Sequence, residues 1–134
     1  MRLTRRYRFA ASHRLNTDAL TPEENARLYG KCNNPFGHGH DYVLDVSVEG
    51  PLDASGQIVG REALDALVEQ QVLDRVDHRN LNCDLPELRD RVPTTENLAS
   101  VIEDLLTRQW SLPARLARVR ISETARNTFE LETK

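Results

Sequence analysis

The sequence predicts an α+β fold: a four-stranded antiparallel sheet with two helices on one face, in the order ββααββ. Three observations carry this: two-residue alternation over 3–13 and again over 40–48, helical spacing of apolar residues through 64–72 and 98–106, and renewed alternation from 117. With 134 residues, 39% of them apolar, the chain supports one core, and residues 1–134 are expected to form a single domain.

In the first segment Leu3, Tyr7, Phe9, Ala11 and His13 are odd, while Arg2, Thr4, Arg6, Arg8 and Ser12 are even. That is a half-buried strand whose apolar face ends on His13. Residues 16–31 are a polar excursion, in which Thr21 caps and Pro22 opens a short helix toward Tyr29, closed by Gly30. Tyr42, Leu44, Val46 and Val48 then share a face until the turn-like PLDASG at 51–56, and His38 and His40 fall in phase with them. Leu64, Leu67, Val68 and Val72 give the first long helix; Leu98, Val101, Ile102, Leu105 and Leu106 give the second. Thr94 or Thr95 caps that second helix, and Glu96 complements its dipole. Ala117, Val119, Ile121 and Glu123 alternate, the chain turns at 125–127, and Phe129 and Leu131 mark a final short strand.

Composition excludes several functions. A net charge of −3 and 5% aromatic residues provide neither a basic field nor stacking platforms, so no nucleic-acid partner is expected. Apolar runs are short and interrupted by charges, and the basic start lacks the apolar region of a signal peptide; no membrane association and a cytoplasmic location are the expectation. In a reducing compartment Cys32 and Cys83 are expected to be free thiols.

The stretch CNNPFGHGH, residues 32–40, concentrates the chemistry. Residues i and i+2 of a strand point the same way, so His38 and His40 present two imidazoles at one sheet edge, and His13 arrives across the antiparallel ladder. Three neutral imidazoles with one position open is the pattern of catalytic zinc. Cys32 lies in the polar loop returning to that edge, as a fourth ligand, a base beside the metal or a small buried hydrophobe; a nearby cation would lower its pKa. Cys83, in NLNCDLP, has no such company. His78 follows Asp77 in VDHRNLN, a carboxylate placed to orient an imidazole. Glu123 extends an apolar series and so faces inward, where a carboxylate needs a partner.

FAASHRL, YGKCNNPFGHGHDY, VDHRNLN, PTTEN and ISET, in this order and spacing, resemble the 6-pyruvoyltetrahydropterin synthase family over nearly the whole chain. The resemblance implies the T-fold (tunnelling fold), a homohexamer built as a dimer of trimers, and active sites at subunit interfaces. It implies Zn2+ held by His13, His38 and His40, a thiol proton acceptor at Cys32, an Asp77–His78 pair from a neighbouring subunit, and a pterin-anchoring Glu123, with Thr94, Thr95 and Glu96 lining the pterin pocket. The implied substrate is 7,8-dihydroneopterin triphosphate, and the implied product is 6-pyruvoyltetrahydropterin.

The related 6-carboxytetrahydropterin synthases of the queuosine pathway share substrate, metal and fold but release acetaldehyde. They typically place the cysteine four residues before the first histidine of HGH. Here Asn34 holds that position and Cys32 lies six before, as in the pyruvoyl type, which favours the pyruvoyl reaction. A non-catalytic pterin- or purine-binding module is the third reading, against which the joint presence of Cys32, Asp77 and His78 argues. Gly60-Arg61 stands where the family often has an acidic residue or Asn, and Arg6, Arg8 and Arg14 are the candidates for holding triphosphate.

Overall fold

The computed structural model describes residues 1–133. Strand β1 (Arg2–His13) and strand β2 (His38–Glu49) form a long antiparallel pair, joined by an excursion carrying helix α1 (Pro22–Tyr29). Helix α2 (Arg61–Val68) runs through a π-helical turn, Glu69–Leu73, into the single turn α3 (Asp74–Val76). Strand β3 (Arg79–Asn80), helix α4 (Thr95–Arg108), strand β4 (Arg115–Thr124) and strand β5 (Asn127–Glu132) complete the chain.

The sheet is α+β as expected, but among the described residues it has five strands in the order β3-β1-β2-β4-β5, which corrects the four-stranded ββααββ reading. The added strand is a two-residue parallel pairing of Arg79 and Asn80 with Ala11 and Ser12, too short to show any periodicity. Side chains fix that segment in place. Asp77 Oδ1 accepts from the Ala10 amide at 2.9 Å, and Asn82 accepts from the Arg14 amide at 2.6 Å while donating to its carbonyl at 2.9 Å. The short helix in the excursion forms as predicted, with Thr21 and Glu24 making a reciprocal capping box. Thr94 caps α4 by accepting from the Asn97 amide at 3.2 Å, whereas Gly60 begins α2 with no side-chain cap.

One face of the sheet packs on α2, α3 and α4 around Leu44, Val46, Leu64, Val68, Leu98, Ile102, Val119 and Ile121, all essentially inaccessible to water. Each such side chain contributes about 1.5–3 kcal/mol relative to exposure, which outweighs the ordinary helix propensities of these segments. Arg5 interrupts the apolar face of β1, and α2 answers it. Asp65 accepts two bonds from the guanidinium, at 3.1 and 2.6 Å, and a third from the Tyr7 hydroxyl at 2.6 Å. The opposite face is polar, with Arg6 paired to the buried Asp45 and Arg2 to Glu49.

Two local features aim the functional end of the sheet. Ser122 pairs with Thr128 and Thr124 with Asn127, so Glu123 is the extra residue of a bulge. Its side chain meets His13 and His40, on the face that alternation from Val119 and Ile121 predicts. In the loop just before β2, at the same end of the sheet, Gly37 has a φ of +80°, and a Cβ there would stand 2.7 Å from the His13 carbonyl oxygen. Only glycine allows the loop to pass this close to β1.

Candidate active site

His13 and His38 are directly opposite in the β1–β2 register, and His40 is two residues further along the same face. His13 is fully buried. Its Nδ1 lies 2.9 Å from the Pro93 carbonyl, which can only accept, so Nδ1 carries the hydrogen and Nε2 keeps a bare lone pair. The Tyr42 hydroxyl lies 3.3 Å from the same Nδ1. Nε2 is buried with no hydrogen-bond partner, so its lone pair is free to bind a metal ion. Burial lowers the pKa of both His13 and His40, keeping the imidazoles neutral and able to ligate.

Four side chains converge here. Glu123 Oε1 is 3.4 Å from His13 Nε2 and 3.2 Å from His40 Nε2, and Cys32 Sγ is 3.6 Å from His40 Nε2. The donor atoms of His13, Cys32, His40 and Glu123 all lie within 4.8 Å of one another, so this group could hold a metal ion, and the mixed imidazole, thiol and carboxylate set suits one. His38 stands outside that group, exposed at the rim, with its ring centroid 4.8 Å from that of His40.

Cys32 belongs to a 3-10 turn, Gly30–Asn33, tied to the end of β1. The Leu15 amide donates to the Cys32 carbonyl at 2.7 Å, and the Asn33 side chain donates to the Leu15 carbonyl at 2.7 Å. Desolvation, and then the nearby Glu123 carboxylate, push the Cys32 thiol up. Cys83 is exposed and stands apart from this group.

The Asp77–His78 pair forms as the sequence suggests, with His78 Nδ1 at 3.1 Å from Asp77 Oδ1. His78 takes a left-handed backbone (φ 59°), and its ring is 82% exposed, held out from the four-residue group. It lines an open groove of about 570 Å³ together with Ser12, Gly39, His40 and Arg79. A smaller groove beside it includes Arg8, Asp41, Asp77 and His78. Of the three arginines named above, Arg6 is committed to Asp45 and Arg14 donates to the Asn33 carbonyl, while Arg8 stays beside His78.

The segment beginning α4 reaches the site through Pro93. Thr95 is buried with its hydroxyl lacking a hydrogen-bond partner, while Thr94 is spent on the helix cap and Glu96 is exposed. Sequence reasoning missed Tyr42, Pro93, Asn82 and the close pass of Gly37. The phase of Tyr42 with His40 was the one signal able to reveal any of them.

Comparison with known proteins gives a consistent picture. Residues 2–134 match the family model described as 6-pyruvoyl tetrahydropterin synthase. The chain is 45% identical over 126 residues to the Dictyostelium discoideum 6-pyruvoyl tetrahydrobiopterin synthase, covering 93% of this chain and 90% of that one. Against the Homo sapiens 6-pyruvoyl tetrahydrobiopterin synthase it is 44% identical over 127 residues, covering 93% and 86%. The solved Caenorhabditis elegans 6-pyruvoyl tetrahydropterin synthase superposes with a TM-score of 0.92 at 37% identity, over 100% of this chain and 96% of that one.

Proposed function

We infer that this chain, which belongs to the 6-pyruvoyl tetrahydropterin synthase family, is a lyase that converts 7,8-dihydroneopterin triphosphate to 6-pyruvoyltetrahydropterin with loss of triphosphate. The observation that carries this reading is the convergence of His13, His40, Cys32 and Glu123 at one end of the sheet, with the Asp77–His78 pair formed at its edge. The side chain of the substrate is oxidised as its ring is reduced, so the reaction needs no external redox cofactor.

His13, His38 and His40 would hold Zn2+, His13 through the bare Nε2 that Pro93 enforces and His38 by turning inward from the rim. When bound, the ion supplies positive charge that acidifies the substrate's side-chain hydroxyls and draws the Cys32 thiol toward thiolate. Cys32 takes the proton from substrate carbon and returns it. His78, oriented by Asp77, relays protons to solvent; its exposure suits a group offered to the site of a neighbouring subunit. Glu123 anchors the amino-amide edge of the pterin by paired charge-assisted bonds, with Thr94, Thr95 and Glu96 along the pocket. Arg8, beside His78, is positioned to meet the triphosphate. The open edge at β5, and the stretch of β1 that the two-residue β3 leaves uncovered, favour continuation of the sheet across subunits, as in a T-fold hexamer of two trimers. No described helix is long and apolar enough to cross a membrane, and a cytoplasmic, single-domain enzyme is the reading we adopt.

Product identification tests the assignment. The zinc-loaded protein is incubated with 7,8-dihydroneopterin triphosphate, and the pterin mass is read beside an acetaldehyde assay. Triphosphate release with a pyruvoyl side chain is the expected result; Asn34, at the position typical of the carboxy-type cysteine, is exposed and outside the site. Acetaldehyde with a 6-carboxypterin would transfer the protein to the carboxy branch. Tight pterin binding without turnover would make it a binding module.

A further inference from the structure

The excursion between β1 and β2 buries little of its own. Across residues 16–39 only Asn25 is buried, and two large apolar side chains face water, Leu28 at 64% and Phe36 at 98% exposure. Phe36 sits on a fixed tip. The Gly37 amide donates to the Asn34 carbonyl at 2.8 Å, Pro35 restricts the backbone just before the ring, and the close pass of Gly37 over His13 holds the loop from behind. An aromatic ring held this way in water is a preorganised anchor, because docking it orders little that is not already ordered.

Two observations identify what receives it. The groove of about 570 Å³ is floored by the short residues Ala10, Ser12 and Gly39, which leave room for a flat ring, and the exposed Arg79 stands on its rim, where a guanidinium can cover the ring's face. Gly39 lies three residues beyond Phe36, so the ring and the groove adjoin on one chain. That makes the patch self-complementary, as a two-fold contact between identical copies requires. His78, on the same rim, lies outside the four-residue group of its own chain, and its left-handed backbone holds the imidazole 82% exposed.

We propose that Phe36 seats in the groove beside His78 of a second copy of this chain, and that this contact carries His78 of the partner subunit to Cys32. This rests on the functional reading above, in which His78 serves a neighbouring site. Phe36 is four residues from Cys32 and two from His38, so a groove that takes the ring brings its rim imidazole to the same loop. Phe36 acts through the imidazole it delivers and is a positioning residue.

Photo-cross-linking tests the contact. A copy carrying a benzophenone amino acid in place of Phe36 is co-expressed with a differently tagged copy lacking it, and assemblies holding both tags are irradiated and mapped by peptide mass. The expected links join position 36 of one copy to residues 10–12 or 78–80 of the other. Links within one copy only, links to other segments, or no links would overturn the proposal. Phe36→Ala, a change at an exposed position, should raise the concentration at which the copies dissociate by about tenfold or more, and Phe36→Trp should restore it. Turnover of Phe36→Ala should fall on dilution and recover at high protein concentration, a dependence that local damage to the site does not produce. Dissociation unchanged in Phe36→Ala would also overturn the contact. Product formation by the zinc-loaded protein is scored separately. Turnover without links to the groove removes the contact and leaves the function; links to the groove without turnover do the reverse.

Discussion

Replacing Gly37 by alanine tests whether the loop before HGH sets the geometry of the site. The added Cβ would sit 2.7 Å from the His13 carbonyl oxygen and 3.1 Å from its carbon, both backbone atoms that no side-chain rotation can clear. The residue is also held at φ +80°, which costs about 1–2 kcal/mol for a side chain. Gly56 is the matched control, with φ +82° and nothing within 4 Å of the same added atom. Both variants should lose the conformational share, lowering the melting temperature of the metal-free protein by roughly 3–8 °C. Only Gly37→Ala must also push β1 and the loop apart at His13 and His38. Metal affinity, measured by chelator competition, is expected to drop about tenfold or more for Gly37→Ala, because misplaced ligands lose bonding, and to stay unchanged for Gly56→Ala. Equal metal affinity in the two variants would refute the claim that this close pass positions the histidines.

Cys32→Ala should keep metal and pterin binding while turnover falls by about 10²–10⁴-fold, read by isothermal titration alongside product assay; undiminished turnover removes the thiol from the chemistry. His13 and His40 have folded pKa values below the unfolded value of about 6.5, so the stability they permit is present above that pH and is lost as pH falls below it. Denaturant unfolding of the metal-free protein should accordingly show less stability at pH 5.5 than at 7.5, and equal values would contradict the burial argument. Asp65→Ala leaves Arg5 and the Tyr7 hydroxyl unpartnered, but the ion pair is about a third exposed, so the expected loss is about 1 kcal/mol in denaturant melts. Arg8→Ala should raise KM for the triphosphate substrate without altering the melting temperature; an unchanged KM would dismiss Arg8 as a phosphate contact.

Much of the fold was legible because burial imposes a period. The alternation of Phe9, Ala11 and His13 against Tyr42, Leu44 and Val46 specified which way the histidines face, and the same rule turned Glu123 inward. Thr21 and Pro22 announced α1 through local preferences alone, and Glu24 completes its capping box in the structure. What stayed hidden depends on groups far apart in sequence. Arg5 reads as a break in an apolar face until Asp65 of α2 is seen to meet it. The short β3 is specified by Asp77 and Asn82 bonding to the backbone of Ala10 and Arg14, with no repeating pattern of its own. The HGH spacing suggested three equivalent ligands, yet it could not show that His13 and His40 gather with Cys32 and Glu123 while His38 stays at the rim.

The bulge at Glu123 also bears on how the protein is made. The N-terminal hairpin carrying His13, Cys32, His38 and His40 is synthesised early, whereas the strand that delivers the carboxylate is among the last segments of the chain. A growing polypeptide thus carries its imidazoles and its thiol long before the carboxylate joins them, so the four-residue group is complete only once β4 has docked beside β2.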